Sequence, residues 1–323
     1  MGKGAIVALL LVAGALLALA TDLPGERPWS GAPPQRTPLN TWSVVAADPA
    51  SGAVGVAGAS CFPEAVDAIA ALVPGHGAAA TQAEFDLTNR NRVFQLLQEG
   101  RQAEDIVGAV TQVGDDPGLL RRQYGVVTLA QGRARAATFT GEGTLDWAGA
   151  RQADELGVAV QGNILEGQAV LDETLRAFRA AREANQPLPE QLLRALEAGS
   201  AAGGDRRCNT VQLQQTASAA FLMVARADEA PYAAAELGMS ETGAATAPAL
   251  YLSVTEPIGG ENAVSLLREA YDAHTARVQP TPQPEPAWRQ PEIGLLIAAV
   301  VTLAAMGLTV VWAMRRGRGE IGD

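Results

Sequence analysis

The stretch "TWSVVAADPASGAVGVAGASC", residues 41–61, decides the fold. Thr41 to Asp48 has strand character, Pro49-Ala50-Ser51-Gly52 has the composition and length of a turn, and Ala53 to Ser60 reads as a second strand. The spacing predicts a β-hairpin. Its second arm is built from small side chains, and Gly55 and Gly58 weaken a strand unless something must approach closely. Tight packing against the hairpin is therefore expected. In front of Thr41 stand forty residues of a different kind.

Those residues begin as a targeting signal. Lys3 precedes an apolar run from Ala5 to Ala20 that closes on Ala18-Leu19-Ala20, so residues 1–20 read as a signal peptide. Residues 21–40, "TDLPGERPWSGAPPQRTPLN", are rich in Pro and Gly and are not expected to fold alone. Near the other end, Ile293 to Met314 carries no charge and is long enough to span a bilayer. Trp288 and Trp312 flank it, and Arg315, Arg316 and Arg318 follow, which orients the C-terminus to the cytoplasm. Residues 279–291, "QPTPQPEPAWRQP", read as a semi-rigid stalk. The expectation is an exported domain over 41–278, a membrane helix over 293–314 and a cytoplasmic tail over 315–323.

The 323 residues carry a formal charge of −11, and 48% are hydrophobic but only 5% aromatic. A core of small, closely packed residues is expected. The acidic balance argues against nucleic acid, which needs a basic footprint. An exported domain sits where disulfides survive, so Cys61 and Cys208 are expected to pair. Two cysteines and two histidines, His76 and His274, show no metal-ligand spacing, and neither a metal nor a cofactor is expected.

Further along, a short helix is read around Ala65 to Ala71 and a strand near Gly77 to Gln82. Helical spacing follows over Arg92–Glu99 and Ala103–Val113. "QYGVVTLA" (123–130) and "ARAATFTG" (134–141) form a second hairpin, and "GVAVQGNI" (157–164) a further strand. Helices over Ala169–Ala184 and Pro189–Ala198, strands over 218–226 and 249–257, and a helix over Asn262–His274 complete the chain. Consecutive strands on tight turns favour antiparallel sheets, and grouped helices favour covered outer faces, giving an α+β fold. A four-layer αββα sandwich and a single helix-backed sheet both satisfy this pattern.

"TWSVVAADPASGAVGVAGASC", "ATQA" (80–83), "QYGVV" (123–127), "VQGNI" (160–164) and "AAGGDRR" (201–207) occur in that order. This set resembles the DUF1028 family, a branch of the N-terminal nucleophile (Ntn) hydrolase superfamily, from Thr41 to about Arg226. The resemblance implies the αββα sandwich. It also implies that Thr41 is the nucleophile, with its own α-amine as base once the Asn40–Thr41 bond is cut. A threonine hydroxyl needs an adjacent proton acceptor, and an α-amine with a pKa near about 8 supplies one. The same nitrogen in a peptide bond does not.

Around Thr41, Asn163 is the candidate for an oxyanion or amine-positioning role, and Asp205 for orienting the amine or pairing with an arginine. Arg206 is the candidate clamp for a substrate carboxylate. Gln161 and Gln82 are weaker substrate-binding candidates, and Ser43, two residues after Thr41 on the same strand face, a candidate proton relay. The resemblance implies an amidohydrolase acting on a small amide or peptide, and it leaves the oligomeric state open, a homo-oligomer being one alternative. The competing expectation is a non-catalytic binding domain on the same scaffold, which the stalk and membrane helix suit equally.

Overall fold

Strand β1, Pro38–Leu39, precedes the hairpin, whose arms are β2, Thr41–Ala47, and β3, Val54–Ser60. The arms pair antiparallel with Thr41 opposite Ser60 and Ala47 opposite Val54. The computed structural model describes residues 38–39, 41–62, 66–112, 114, 116–210, 215–233, 248–255 and 260–278, with isolated helical positions at 302, 303, 306, 308, 309 and 312. The expected signal peptide, the stalk and most of the expected membrane helix lie outside these residues. No helix among the described residues is long and apolar enough to cross a membrane.

The remaining strands are β4 (Ala70–Val73), β5 (Gly77–Glu84), β6 (Arg122–Ala130), β7 (Arg133–Thr140), β8 (Gly149–Ala153), β9 (Val158–Gly162), β10 (Ala219–Ala225), β11 (Tyr232–Ala233) and β12 (Leu250–Thr255). They form two antiparallel sheets. The hairpin lies inside one, in the order β12-β10-β3-β2-β9-β8; the other runs β11-β4-β5-β6-β7, with β1 also on β5. Among the described residues, five α-helices accompany them: α1 (Leu87–Gln98), α2 (Ala103–Val110), α3 (Ala169–Glu183), α4 (Leu188–Ala201) and α5 (Ala263–Val278).

Strand alternation sorts the core into three layers. Val44 and Ala46 of β2 face Phe178 of α3, Leu192 and Leu196 of α4 and Leu267 of α5. Val45 and Ala47 face the other way, toward Ala78 and Ala80 of β5 and Val127 of β6. Beyond the second sheet, Ala79 and Val126 pack on Val93 of α1 and Ile106 of α2. Helices thus pack on the outer face of each of the two sheets, and the single-sheet alternative is excluded. Gly58 shows the expected tight approach. A Cβ there would stand 2.6 Å from the Phe221 ring, and one at Gly55 would meet Leu192 at the same distance.

Several elements differ from the sequence reading, which contained neither β8 nor β11. The expected helix at 65–71 is a 3-10 turn, Val66–Ile69, that runs into β4, because Ala70–Val73 is fully buried and pairs with β5. Helix α1 starts at Leu87 rather than Arg92, since Asp86 Oδ1 caps it by accepting from Thr88 N (2.9 Å) and Asn89 N (3.2 Å). The leader does not stop short of the fold: Pro38 and Leu39 pair with Glu84 and Ala83.

Cys61 and Cys208 form a disulfide with an S–S distance of 2.04 Å. It ties the end of β3 to the "GGDRR" loop. By internal contacts the chain divides into Met1–Tyr271 and Asp272–Asp323, and every site residue discussed below lies in the first unit.

Candidate active site

Along the inter-sheet layer the chemistry changes. At one end stand Val45, Ala47, Val54, Val56 and Val127. Toward the other end, the same faces of β2, β5, β6 and β9 carry Thr41, Ser43, Gln82, Gln123 and Gln161, and Asn163 follows β9 directly. All six are buried, none more than 1% exposed. A buried amide cluster is stable only if its hydrogen bonds are made.

Those bonds run in one direction. Gln123 Nε2 donates to the carbonyls of Gly162 (2.9 Å) and Gly149 (3.1 Å) and to Thr140 Oγ1 (2.9 Å). Backbone carbonyls only accept, so they fix which end of the Gln123 amide is nitrogen. Gln123 Oε1 then accepts from Gln82 Nε2 (2.8 Å) and Asn163 Nδ2 (3.0 Å). Gln82 Oε1 accepts from Ser43 Oγ (2.6 Å), and Ser43 Oγ accepts from Gln161 Nε2 (2.6 Å). Among the described residues, two acceptors end these chains without partners: Asn163 Oδ1 and Gln161 Oε1.

Thr41 is joined to the cluster through its backbone. Its carbonyl accepts from Gln82 Nε2 at 2.8 Å and from Asn163 N at 3.2 Å. Asn163 is thus its neighbour across the β2–β9 ladder. Two left-handed residues adjoin the cluster, Ala83 (φ 69°) after Gln82 and Ile164 (φ 53°) after Asn163. Such non-glycine conformations cost free energy and persist where surrounding structure imposes them.

Gln123 was missed by sequence reasoning, although it opens the quoted "QYGVV" segment. The signal that could have found it is Gly125 in the same segment. A Cβ at Gly125 would lie 1.9 Å from Gln161 Oε1, so the glycine makes room for the amide from the facing sheet. Similarly, the ring of Trp42, next to Thr41, packs against Gly199 of α4 and Gly204 of the "GGDRR" loop.

Asp205 and Arg206 are placed differently from each other. The Asp205 carboxylate is fully buried and accepts from Cys61 N (2.9 Å), Arg207 N (3.1 Å) and the Arg207 guanidinium (Nε at 2.9 Å). The arginine it pairs with is therefore Arg207. Arg206 is exposed and lies outside the buried cluster; only its backbone N–H turns inward, to Ile164 O at 3.1 Å. Among the described residues, no group of three or more His, Cys, Asp or Glu could hold a metal ion.

Next to the cluster lies an ionic knot. Arg122, 2% exposed, donates through Nε to Asp116 Oδ2 at 2.7 Å and through Nη2 to Asp86 Oδ2 at 3.3 Å. It also donates to the Glu84 carbonyl. The hydrogen bond from Arg122 pulls the Asp116 carboxyl down to a pKa of about 2, against the cost of burial. Burial raises the Tyr124 phenol above its usual range.

Comparison with known proteins agrees with this architecture. A search of the curated proteins found no match. Among solved structures, the crystal structure of a protein from Silicibacter pomeroyi, described as a DUF1028 family member, is similar with a TM-score of 0.55 and 25% identity. That similarity covers 73% of this chain and 86% of the other. A family model described as "Family of unknown function (DUF1028)" matches residues 41–247, a span that begins at Thr41 and takes in the whole amide cluster, and the chain belongs to that family.

Proposed function

We propose that this protein is an exported, membrane-anchored amidohydrolase of the Ntn type, with Thr41 as nucleophile and the Thr41 α-amine as base. The observation that carries this reading is the position of Thr41. It is the first residue of its strand, fully buried, with its carbonyl held by Gln82 and Asn163 at the polar end of the inter-sheet layer.

The chemistry has two stages. In the first, Thr41 Oγ1 attacks the carbonyl carbon of residue 40. The C–N bond breaks as an ester forms, and water hydrolyses the ester to a carboxylate and a free Thr41 α-amine. In the second, the neutral amine takes the Oγ1 proton as the oxygen attacks a substrate amide. The departing amine receives a proton, and water cleaves the acyl-ester. A newly freed ammonium needs acceptors. Asn163 Oδ1 is buried, unpartnered and on the residue across the ladder. One of the two Asn163 Nδ2 protons goes to Gln123. For Asn163, the unpartnered Oδ1 suits amine positioning and the second Nδ2 proton suits oxyanion donation.

The membrane anchor is part of the same proposal. Leu303, Met306, Leu308 and Trp312 are helical, apolar and exposed, which suits a lipid-facing segment.

The test is mass spectrometry of the N-terminal peptide of the protein purified from its membrane. A chain starting at Thr41, with Thr41→Ala retaining the preceding residues and losing turnover, is expected. A chain starting at Thr21, or keeping its leader, would remove the base and leave the binding-domain alternative. The sequence holds one lysine, Lys3. A chain starting at Thr41 therefore has its α-amine as its only amine, and an amine-selective acylating reagent should modify one site and abolish turnover.

A further inference from the structure

The edge of β5 is shared between two partners. On the side away from β6, β4 pairs with β5 only from Gly77 to Ala80. The 3-10 turn Val66–Ile69 diverts the chain before β4 could extend further. Residues beyond Ala80 would leave backbone N–H and C=O groups unpaired, an arrangement that invites another strand. The chain's own β1 takes that place, with Leu39 opposite Ala83 and Pro38 opposite Glu84. Pro38 has no N–H, so Leu39–Ala83 is the pair that exchanges both backbone bonds.

One residue separates Leu39 from Thr41. The paired leader therefore ends immediately before the nucleophile proposed above, on the acyl side of the bond that nucleophile would cut. We propose that the edge of β5 at Ala83–Glu84 is a peptide-binding subsite, in which an extended peptide takes the place of β1 and presents its carbonyl to Thr41. This rests on the nucleophile reading and deepens it: the substrate is a peptide, not a small amide or an ester. Recognition by strand addition takes affinity from the main chain and specificity from alternate side chains.

The experiment uses the full-length chain with residues 36–40 replaced by a recognition sequence for a specific protease, so that Thr41 is freed whether or not the chain cuts itself. The probes are acetyl-Thr-Pro-Leu-Asn-amide, copied from residues 37–40, and the same peptide N-methylated at leucine. Binding is measured by calorimetry on the cut Thr41→Ala form. The unmodified peptide should bind, and N-methylation should weaken it at least about tenfold, the loss of one or more backbone hydrogen bonds. The uncut Thr41→Ala chain with its native residues 36–40, whose own β1 fills the subsite, should bind neither. Equal binding of both peptides, tight binding to the intact chain, or self-association in place of peptide binding would overturn the proposal. If the cut form does not stay folded, intact Leu39→Pro serves instead. It removes the leader's N–H and should gain peptide binding; no gain would overturn the proposal. Turnover separates the two readings. Peptide binding without cleavage by freed Thr41 would sink the hydrolase reading alone, and cleavage of simple amides with no peptide preference would sink the subsite alone.

Discussion

Gln123 shows how a single side chain sets the site. Its amide faces five partners: Gly162, Gly149, Thr140, Gln82 and Asn163. Replacement by leucine, close to it in volume, would leave carbonyls and amides buried without partners. Gln123→Leu should destabilise the protein by about 3 kcal/mol, read as a shift in urea midpoint. Gly125→Ala forces a methyl onto the Gln161 amide. It should cost about 2 kcal/mol and disturb Ser43, to which Gln161 donates. At this scale the sequence was partly legible. Thr41, Ser43, Gln82, Gln161 and Asn163 do come together. Asp205 is buried nearby but held by Arg207, and nothing in "GGDRR" says which arginine turns inward; that depends on Arg206 giving its backbone to Ile164.

Among the elements, α1 and β6 are joined by the Arg122 knot. Asp86 caps α1 and touches Arg122, while Asp116 binds Arg122, Asn89 Nδ2 (2.7 Å) and Gly118 N (2.7 Å). Because the folded pKa of Asp116 is depressed to about 2, its stabilisation is present above the ordinary carboxylate range and is lost as pH falls from about 4 toward 2. The melting temperature should drop across that window. Asp116→Asn should flatten the drop and cost about 2 kcal/mol at neutral pH, as measured by calorimetry. Both hairpins were legible because turn residues and alternation are local signals. Strand β4 was not: "AALV" is four apolar residues, and only its pairing with β5 distinguishes strand from helix. Strand β1 was hidden for a similar reason, since two residues carry no period.

For the whole molecule, the layered order came from grouping strands and helices, but the choice between one sheet and two needed contacts between distant segments. Val45 on Ala80 and Phe221 on Gly58 are not written in any local pattern. The disulfide belongs to this scale as well, because it closes a sequence separation of 147 residues. In the chain-entropy description it contributes about 5 kcal/mol. Reduction, or Cys61→Ser, should lower the denaturant midpoint accordingly. It should also loosen Asp205, whose carboxylate accepts from Cys61 N.

The side chains of the amide cluster are all neutral. Gln123, Gln82, Gln161, Asn163 and Ser43 do not ionise in the physiological range, so no acid or base in that cluster can switch with pH. An enzyme built this way should not give the bell-shaped rate profile of a paired acid and base. Its rate should climb along one limb, governed by loss of a proton from the terminal amine near pH about 8 or below, and then stay level. A falling alkaline limb, with the protein still folded, would show that a second ionising group takes part.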